Sequence, residues 1–149
     1  MIRRFGTPPE VGRVYKPRPG AYAILLLGDQ MLVTRQNASA GLPASEIQLP
    51  GGGIDPGESP IAALHREVFE ETGWHIASPR RLGAFRRFAY MPDYDKYAEK
   101  LCTIYVARPT RQLGPPSEPD HEALWIHREE AKKVLANWGD RSFIDLARL

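Results

Sequence analysis

Three glutamates lie close together in one short segment, at spacings that place them on neighbouring positions of a helix. Glu67 and Glu70 are three residues apart, and Glu67 and Glu71 are four residues apart. Side chains at these spacings share one side of an α-helix, where like charges repel. Carboxylate oxygens are the ligands that hard divalent cations such as Mg²⁺ and Mn²⁺ select. The spacing therefore indicates either a metal site or an ordinary solvated helix face.

Two neighbouring features favour the metal site. Arg66 stands beside the glutamates and can neutralise them in part or hold one carboxylate in place. The glycine-rich stretch Gly51 to Gly53 lies just upstream and is predicted to form a turn. Backbone groups in such a turn can approach a metal or a phosphate without interference from side chains.

The helix that carries the glutamates has clear signals at both ends. Ser59 is a suitable N-cap, Pro60 suits the first helical position, and Gly73 suits the left-handed position after the last turn. The core side of the helix is predicted to consist of Ile61, Leu64, His65, Val68 and Thr72. The carboxylates then lie at the edge of the packing rather than within it.

The whole segment resembles the Nudix box of the Nudix hydrolases. Gly52 is followed after five residues by Glu58, and after seven more by Arg66, Glu67 and Val68; Glu70, Glu71, Gly73 and Trp74 complete the pattern. Trp74 stands where the family usually has an aliphatic residue, and it keeps the position hydrophobic. The pattern covers 23 residues with every polar and glycine position present.

This resemblance implies an α/β/α sandwich with a mixed β-sheet and a Mg²⁺- or Mn²⁺-dependent hydrolase. Its substrate would be a nucleoside diphosphate linked to another group, cleaved at the diphosphate by attack of water on phosphorus. Glu67, Glu70 and Glu71 would be metal ligands, Glu67 alternatively orienting the water, and a carbonyl of Gly51 or Gly52 would complete the coordination. Arg66 would belong to the catalytic residues and would also form a structural pair with Glu58.

Many members of this family take a general base from a distant loop. The predicted loop over residues 111–120 and the strand after it supply Glu118, Asp120 and Glu122. We favour Glu118 because it lies in the part of the loop expected to be flexible. For the other two, a polar turn without a chemical role is the alternative.

Substrate-binding residues must come from outside the box. Arg35, and Arg86 or Arg87, could hold phosphates, and Tyr90, near Tyr94 and Tyr97, could stack on a base. Each of these side chains could equally be an exposed strand or loop residue. The identity of the group linked to the nucleoside diphosphate is left open by the sequence.

The remaining pattern is that of a mixed α/β protein. A hairpin is expected, with strands over 21–27 and 31–35 around residues 28–30. Further strands are expected over 46–50, 80–90, 99–109 and 121–127, a helix over 128–139 and a short closing helix over 140–149, with loops over 36–45 and 91–96.

Length and composition exclude several classes of protein. The 149 residues fit one domain spanning 1–149, and no apolar run approaches the ~20 residues that cross a bilayer. A net charge of +2 does not suggest that the chain binds a nucleic-acid polymer. Cys102 is the single cysteine, which fits the cytoplasm and rules out an internal disulfide. We expect it to be a small buried residue within a strand.

Two other functions are alternatives to an active hydrolase. One is a non-catalytic module of the same fold that binds a nucleotide, although such modules usually have an eroded box. The other is an isopentenyl diphosphate isomerase, which needs a catalytic cysteine, whereas Cys102 lies in the middle of a predicted strand. Many relatives of the family are dimers, so a homodimer is an open expectation.

Overall fold

A computed structural model describes residues 2–38, 44–91 and 94–149. The strands are β1 (Arg3–Arg4), β2 (Lys16–Leu27), β3 (Gln30–Gln36), β4 (Glu46–Gln48), β5 (Gly51–Gly53), β6 (Trp74–Met91), β7 (Lys96–Gln112) and β8 (His121–His127). The helices are α1 (Pro60–Thr72), α2 (Arg128–Val134) and α3 (Trp138–Arg141), followed by a 3₁₀ turn (Ile144–Leu146). The centres of the predicted loops over 36–45 and 91–96, residues 39–43 and 92–93, lie outside the described residues.

The strands form one mixed sheet in the order β1-β6-β7-β2-β3-β4, in which β5 pairs with β2 and β8 with β3. β2 runs parallel to β7 from Lys16 to Leu25, and β1 runs parallel to β6. The β2–β3 and β6–β7 pairs are antiparallel hairpins. The predicted hairpin at Gly28 is confirmed, and the strand pair β6–β7 is longer at both ends than the sequence indicates.

Both faces of the sheet are covered, which confirms the predicted α/β/α sandwich. Ala21, Ala23 and Leu25 of β2 face one side, where Leu64 and Val68 of α1 pack on them. Ile24 and Leu26 face the other side, in a core that includes residues of α2 and the C-terminal segment. Alternate residues of β2 therefore serve two cores, as expected for a strand buried on both faces.

The predicted ends of α1 are confirmed. The Ser59 hydroxyl accepts a hydrogen bond from the Ala62 N–H, Pro60 is the first helical residue, and Gly73 has the left-handed φ of 76°. The predicted core side is wrong at two positions, because Ile61 is 38% exposed and His65 is also exposed. Ala63 is fully buried instead, and the buried residues of the helix are Ala63, Leu64, Val68, Glu71 and Thr72. The core side is therefore rotated away from Ile61 and His65.

The glycine stretch is a strand rather than the predicted turn. Gly51 to Gly53 pairs antiparallel with Gly20 to Tyr22 of β2. Gly51 has φ 147°, and a Cβ there would stand 2.2 Å from the Ala21 carbonyl oxygen. Glycine is therefore required at this position both for its backbone conformation and for the close approach of the two strands.

The C-terminal helices are shorter than predicted. The helix expected over 128–139 ends at Val134, and the segment that follows contains only α3 and the 3₁₀ turn. Leu135 leaves the helix in extended geometry and the Ala136 N–H donates to the Ile47 carbonyl on β4. Pairing with the sheet edge thus replaces the last helical turns. No helix among the described residues has the length and apolar composition needed to cross a bilayer.

Candidate active site

The carboxylates of α1 lie against the glycine strand β5. A Cβ on Gly52 would come within 2.6 Å of the Glu67 carboxylate, so the missing side chain of this glycine leaves the space that Glu67 fills. The Gly51 N–H donates to Glu71 Oε1 at 3.0 Å. The sheet and the helix together therefore fix two carboxylates beside a bare stretch of backbone.

Arg66 organises the other acidic groups. Its guanidinium binds Glu58 through two hydrogen bonds of 2.8 and 2.9 Å, and it donates to the Gly53 carbonyl at 3.1 Å. It also contacts Glu67 at 2.8 Å and Glu70 at 3.4 Å. The Glu58–Arg66 contact that the resemblance implied is present, and it ties the loop before α1 to the helix and to β5.

This arrangement lowers the pKa of Glu58 to about 2. The hydrogen bonds from Arg66 are the main cause, and the hydrogen bond with the Asp55 backbone adds to them. The same pairing with Glu58, together with that to Glu67, raises the pKa of Arg66. The Glu58–Arg66 pair therefore stays ionised over the whole range in which an enzyme works.

The two carboxylates beside β5 behave in the opposite way. Burial raises the pKa of Glu67, with the charges of Glu70 and Glu118 adding to the effect and Arg66 opposing it. Burial also raises the pKa of Glu71 well above its usual value, and the hydrogen bond from Gly51 only partly offsets this. Glu71 is buried and Glu67 partly buried. A cation placed between such carboxylates stabilises their charged forms.

The donor set is suited to a hard divalent cation, since all its charged groups are carboxylates and glycine carbonyls lie beside them. Within the described ranges, however, no group of three or more His, Cys, Asp or Glu side chains already has the arrangement of a metal site. Glu67 and Glu70 turn towards Arg66, and Glu71 is held by Gly51. The residues fit a divalent ion by chemistry and position, with Arg66 as their present counter-charge.

Glu118 lies beside this cluster, and a hydrogen bond fixes its backbone. The Ser117 and Glu118 N–H groups both donate to the Glu70 carbonyl, at 2.8 and 3.1 Å. The charge of Glu118 contributes to the raised pKa values of Glu67 and Glu71. Glu122 instead forms an ion pair with Arg35 at 3.4 Å, and the Asp120 carbonyl accepts from the Asn37 N–H. Of the three loop carboxylates, Glu118 is the one that the structure ties to α1.

His121 is a neighbour of the site that sequence reasoning did not single out. Its Nε2 lies 3.5 Å from Glu71 Oε2, and its Nδ1 is buried without a hydrogen-bond partner among the described residues. Burial lowers the pKa of His121, although Glu118 and Asp120 oppose that effect. Its position directly after an acidic loop is the one sequence signal that could have pointed to it.

A cavity of about 290 Å³ opens beside Glu71 and Gly51. It lies between the sheet and the segment that joins α2 to α3, and its walls include Tyr22, Arg87, Lys100 and Asp140. These side chains come from β2, β6, β7 and α3. The cavity therefore connects the carboxylate cluster with a polar end built from distant parts of the chain.

Of the residues predicted to bind substrate, Arg87 lines this cavity, whereas Arg35, Arg86 and Tyr90 do not. Arg86 forms an ion pair with Glu99 at 3.2 Å, and its neighbour Arg87 faces the cavity instead. Arg35 is paired with Glu122, and the hydroxyl of the exposed Tyr90 donates to Asp95. Cys102 is buried and free, as expected, and forms part of the cavity wall.

Known proteins resemble this chain in sequence and in fold. It is 37% identical over 68 residues to a Bacillus subtilis protein provisionally named an 8-oxo-dGTP diphosphatase, a match covering 46% of this chain and 43% of that protein. It is 32% identical over 90 residues to a CMP-5'-(N-acetyl-N-hydroxy-3-aminopropyl)phosphonate hydrolase of Streptomyces rubellomurinus, covering 59% and 41%. The chain thus spans less than half the length of these relatives.

The comparison with solved structures finds the same fold, and a family model covers most of the chain. A MutT protein from Bacillus halodurans superposes with a TM-score of 0.66 at 23% identity, covering 86% of this chain and 80% of that one. The model of the NUDIX domain family matches residues 16–147, which include β2, the complete box and the C-terminal segment. Proteins of this family generally use divalent metal ions. The chain therefore belongs to the NUDIX family.

Proposed function

We propose that residues 1–149 act as one hydrolase domain that cleaves the diphosphate bond of a nucleoside diphosphate linked to another group. The observation that carries this proposal is the position of Glu67 and Glu71 against Gly51 and Gly52, where Gly51 and Glu71 also line a cavity of about 290 Å³. The names of the relatives support it, since they mention a nucleoside triphosphate and a CMP-linked phosphonate.

Glu67, Glu70 and Glu71, with a carbonyl of Gly51 or Gly52, would hold Mg²⁺ or Mn²⁺. When bound, such an ion neutralises charge on phosphate oxygens and polarises phosphorus towards attack. The residues of the chain position everything else. Arg66 holds Glu67 and Glu70 from one side, while the Gly51 N–H fixes Glu71 from the other.

Glu118 is the proposed general base. Its backbone is hydrogen-bonded to the Glu70 carbonyl and its charge acts on Glu67 and Glu71, which supports a role beside the cluster and outside the set of proposed ligands. Water would attack one phosphorus atom and lose a proton to Glu118 as the bond to the bridging oxygen breaks. The products would be a nucleotide and a phosphorylated remainder.

A substrate panel tests this function directly. The purified chain should be assayed with Mg²⁺ or Mn²⁺ against normal and oxidised dNTPs, sugar nucleotides, ADP-ribose, dinucleoside polyphosphates and 5'-triphosphate RNA. Release of a nucleoside monophosphate or a diphosphate from one class would support the proposal. Tight nucleotide binding without hydrolysis of any compound would instead favour the non-catalytic module. Light scattering in the same buffer would show whether the chain forms a homodimer.

A further inference from the structure

Three charged side chains from elements outside the box line the cavity, and we call the part of the wall that they form its far end. Arg87 of β6 and Lys100 of β7 are opposite each other in the strand register, and both line the cavity. Asp140 of α3 faces them and is only 6% exposed. A carboxyl group and two cations therefore line the same cavity.

Local packing brings Asp140 to this place. The Asn137 side chain accepts a hydrogen bond from the Gly139 N–H at 2.9 Å, which fixes the start of α3. Gly139 lies on the ring of Phe85, where a Cβ would come within 2.4 Å of the ring carbons. The absence of a side chain lets α3 approach the sheet closely, so the next residue, Asp140, is held over Arg87 and Lys100.

The described residues leave these charges incompletely satisfied. Burial raises the pKa of Asp140 to about 7, and only the charges of Arg87 and Lys100 act against it, with no hydrogen bond contributing. Burial and the nearby Arg87 lower the pKa of Lys100. A buried carboxyl without a hydrogen-bond donor is costly, and native proteins rarely leave one in that state. The cavity in front of Asp140 has room for the missing donor.

We propose that Asp140, Arg87 and Lys100 determine substrate specificity by binding the edge of a guanine-type base. This inference rests on the proposed function, because it assigns the organic part of the same substrate. The cavity walls link the two ends, since Gly51 and Glu71 border it near the carboxylates and Asp140 borders it at the far end. A base held at Asp140 would direct its phosphates towards the box.

The chemistry of the three groups matches one edge of guanine. That edge presents an amino group and a ring N–H side by side, followed by a carbonyl oxygen. A carboxylate can accept both donors at once, and a cation can donate to the carbonyl. Adenine lacks the adjacent pair of donors, and hypoxanthine differs from guanine only in lacking the amino group. The ring of Tyr22 forms part of the wall alongside.

Guanine and hypoxanthine nucleotides provide the test. We expect the unmodified chain to hydrolyse GTP with a kcat/KM at least tenfold above that for ITP. Asp140→Asn should lower kcat/KM for GTP about tenfold or more, because an amide presents a donor to one of the guanine donors. It should change the value for ITP less, so the ratio should fall. The matched control is Asp145→Asn, since Asp145 is exposed and paired with Lys132 outside the cavity.

A second variant tests the cation side. Lys100→Met should lower kcat/KM for GTP and ITP by the same factor, because both bases keep the carbonyl oxygen. A guanine preference that Asp140→Asn leaves unchanged would overturn the inference, as would a preference for adenine, cytosine or sugar groups.

Binding of the mononucleotides separates this inference from the proposed function. Calorimetry with GMP and IMP requires no hydrolysis. GMP should bind at least tenfold more tightly than IMP, and Asp140→Asn should abolish this difference in affinity. If that holds while no triphosphate is cleaved, base recognition stands and the hydrolase fails. If triphosphates are cleaved while GMP and IMP bind equally to both proteins, the hydrolase stands and the base assignment fails.

Discussion

The carboxylate cluster and the far end of the cavity both concentrate charge, and they differ in how that charge is satisfied. At the cluster, the Arg66 guanidinium lies within 3.5 Å of carboxylate oxygens of four residues: Asp55, Glu58, Glu67 and Glu70. At the far end, Arg87 and Lys100 act on the Asp140 carboxyl only as more distant charges, without a hydrogen bond. The first region is organised by the protein itself, whereas in our proposal a ligand supplies the hydrogen bonds of the second.

This difference suggests a division of labour between chemistry and selection. Groups that must act on every substrate gain from being held in place before the substrate arrives. Groups that discriminate between substrates gain from being left unpaired, since a wrong ligand then leaves a buried charge unsatisfied. Perturbation of the cluster should therefore reduce turnover of all substrates, and perturbation of the cavity end should alter their ranking.

Removal of divalent metal should have the largest effect. We expect EDTA to abolish hydrolysis and Mg²⁺ or Mn²⁺ to restore it, because the repelling carboxylates of the cluster need a cation to act on phosphate. The measurement is the steady-state rate on the best substrate of the panel, before and after chelation. Activity that survives thorough chelation would remove the metal from the proposal.

Loss of the general base should come next. Glu118→Gln is expected to lower kcat by about 10²- to 10⁴-fold, because the amide cannot accept the proton of the attacking water. Affinity for the metal, measured by titration with Mn²⁺, should change little. Asp120→Asn and Glu122→Gln are the matched controls, and both should have smaller effects.

The controls also decide where the base lies. Glu122 is engaged with Arg35 and the Asp120 carbonyl with Asn37, so neither is tied to α1 as Glu118 is. If Asp120→Asn or Glu122→Gln abolishes activity while Glu118→Gln does not, the general base is the residue whose substitution abolishes activity. Three silent substitutions would leave Glu67 or the metal-bound water as the acceptor of the proton.

Substitution of a proposed ligand should reduce the rate without harming the fold. Glu71→Gln or Glu70→Gln is expected to lower turnover on the order of 10²-fold or more, since one charge of the metal site is lost. Thermal unfolding should occur at the same temperature as in the unmodified chain or slightly higher, because repulsion among the carboxylates falls. Glu130→Gln, on the exposed face of α2, is the control. Unchanged turnover in both variants would return these glutamates to the role of a solvated face.

The sequence was sufficient where one segment contains the whole feature. The ends of α1 were predicted correctly because Ser59, Pro60 and Gly73 act on the backbone next to them. The contact of Glu58 with Arg66 followed from the resemblance alone. The sequence predicts a turn at the glycine strand because the partner of that strand, Gly20 to Tyr22 of β2, is distant in the chain and nothing local indicates the pairing.

The far end of the cavity could not be predicted for a similar reason. β6 changes register with β7 at three places, between His75 and Ile76, Ala77 and Arg80, and Arg81 and Gly83. From Gly83 to Met91 the register is regular, so Arg86 and Arg87 face opposite sides of the sheet. The apolar pattern does not indicate which side faces the cavity, because Phe85 and Phe88 also face opposite sides. Asp140 belongs to the short closing helix predicted over 140–149, whereas its burial depends on the contact of Gly139 with Phe85, which no local pattern indicates.

The smallest expected effect concerns the pH dependence of stability at Asp140. Its pKa in the folded protein is about 7, above the usual carboxyl value of 3.8, mainly because of burial. The unfolded chain therefore releases this proton near pH 4 and the folded chain only near pH 7. The contribution of the neutral Asp140 carboxyl to the stability of the folded protein is complete below pH 4 and is lost as the pH rises to about 7. Between pH 5 and pH 7 the loss should reach about 2 kcal/mol.

Asp140→Asn isolates this contribution, since its amide does not titrate. Denaturant unfolding of both proteins without nucleotide should show the advantage of the variant growing from pH 5 to pH 7. Asp145→Asn is the opposite control, because the hydrogen bond from Lys132 lowers the pKa of Asp145. The change in unfolding free energy caused by Asp145→Asn should therefore be the same at pH 5 and pH 7 and should vary with pH only at lower values. Equal pH profiles for the Asp140 variant and the unmodified chain would mean that Arg87 and Lys100 already satisfy the carboxylate. The contrast between the paired cluster and the unpaired cavity end would then be lost.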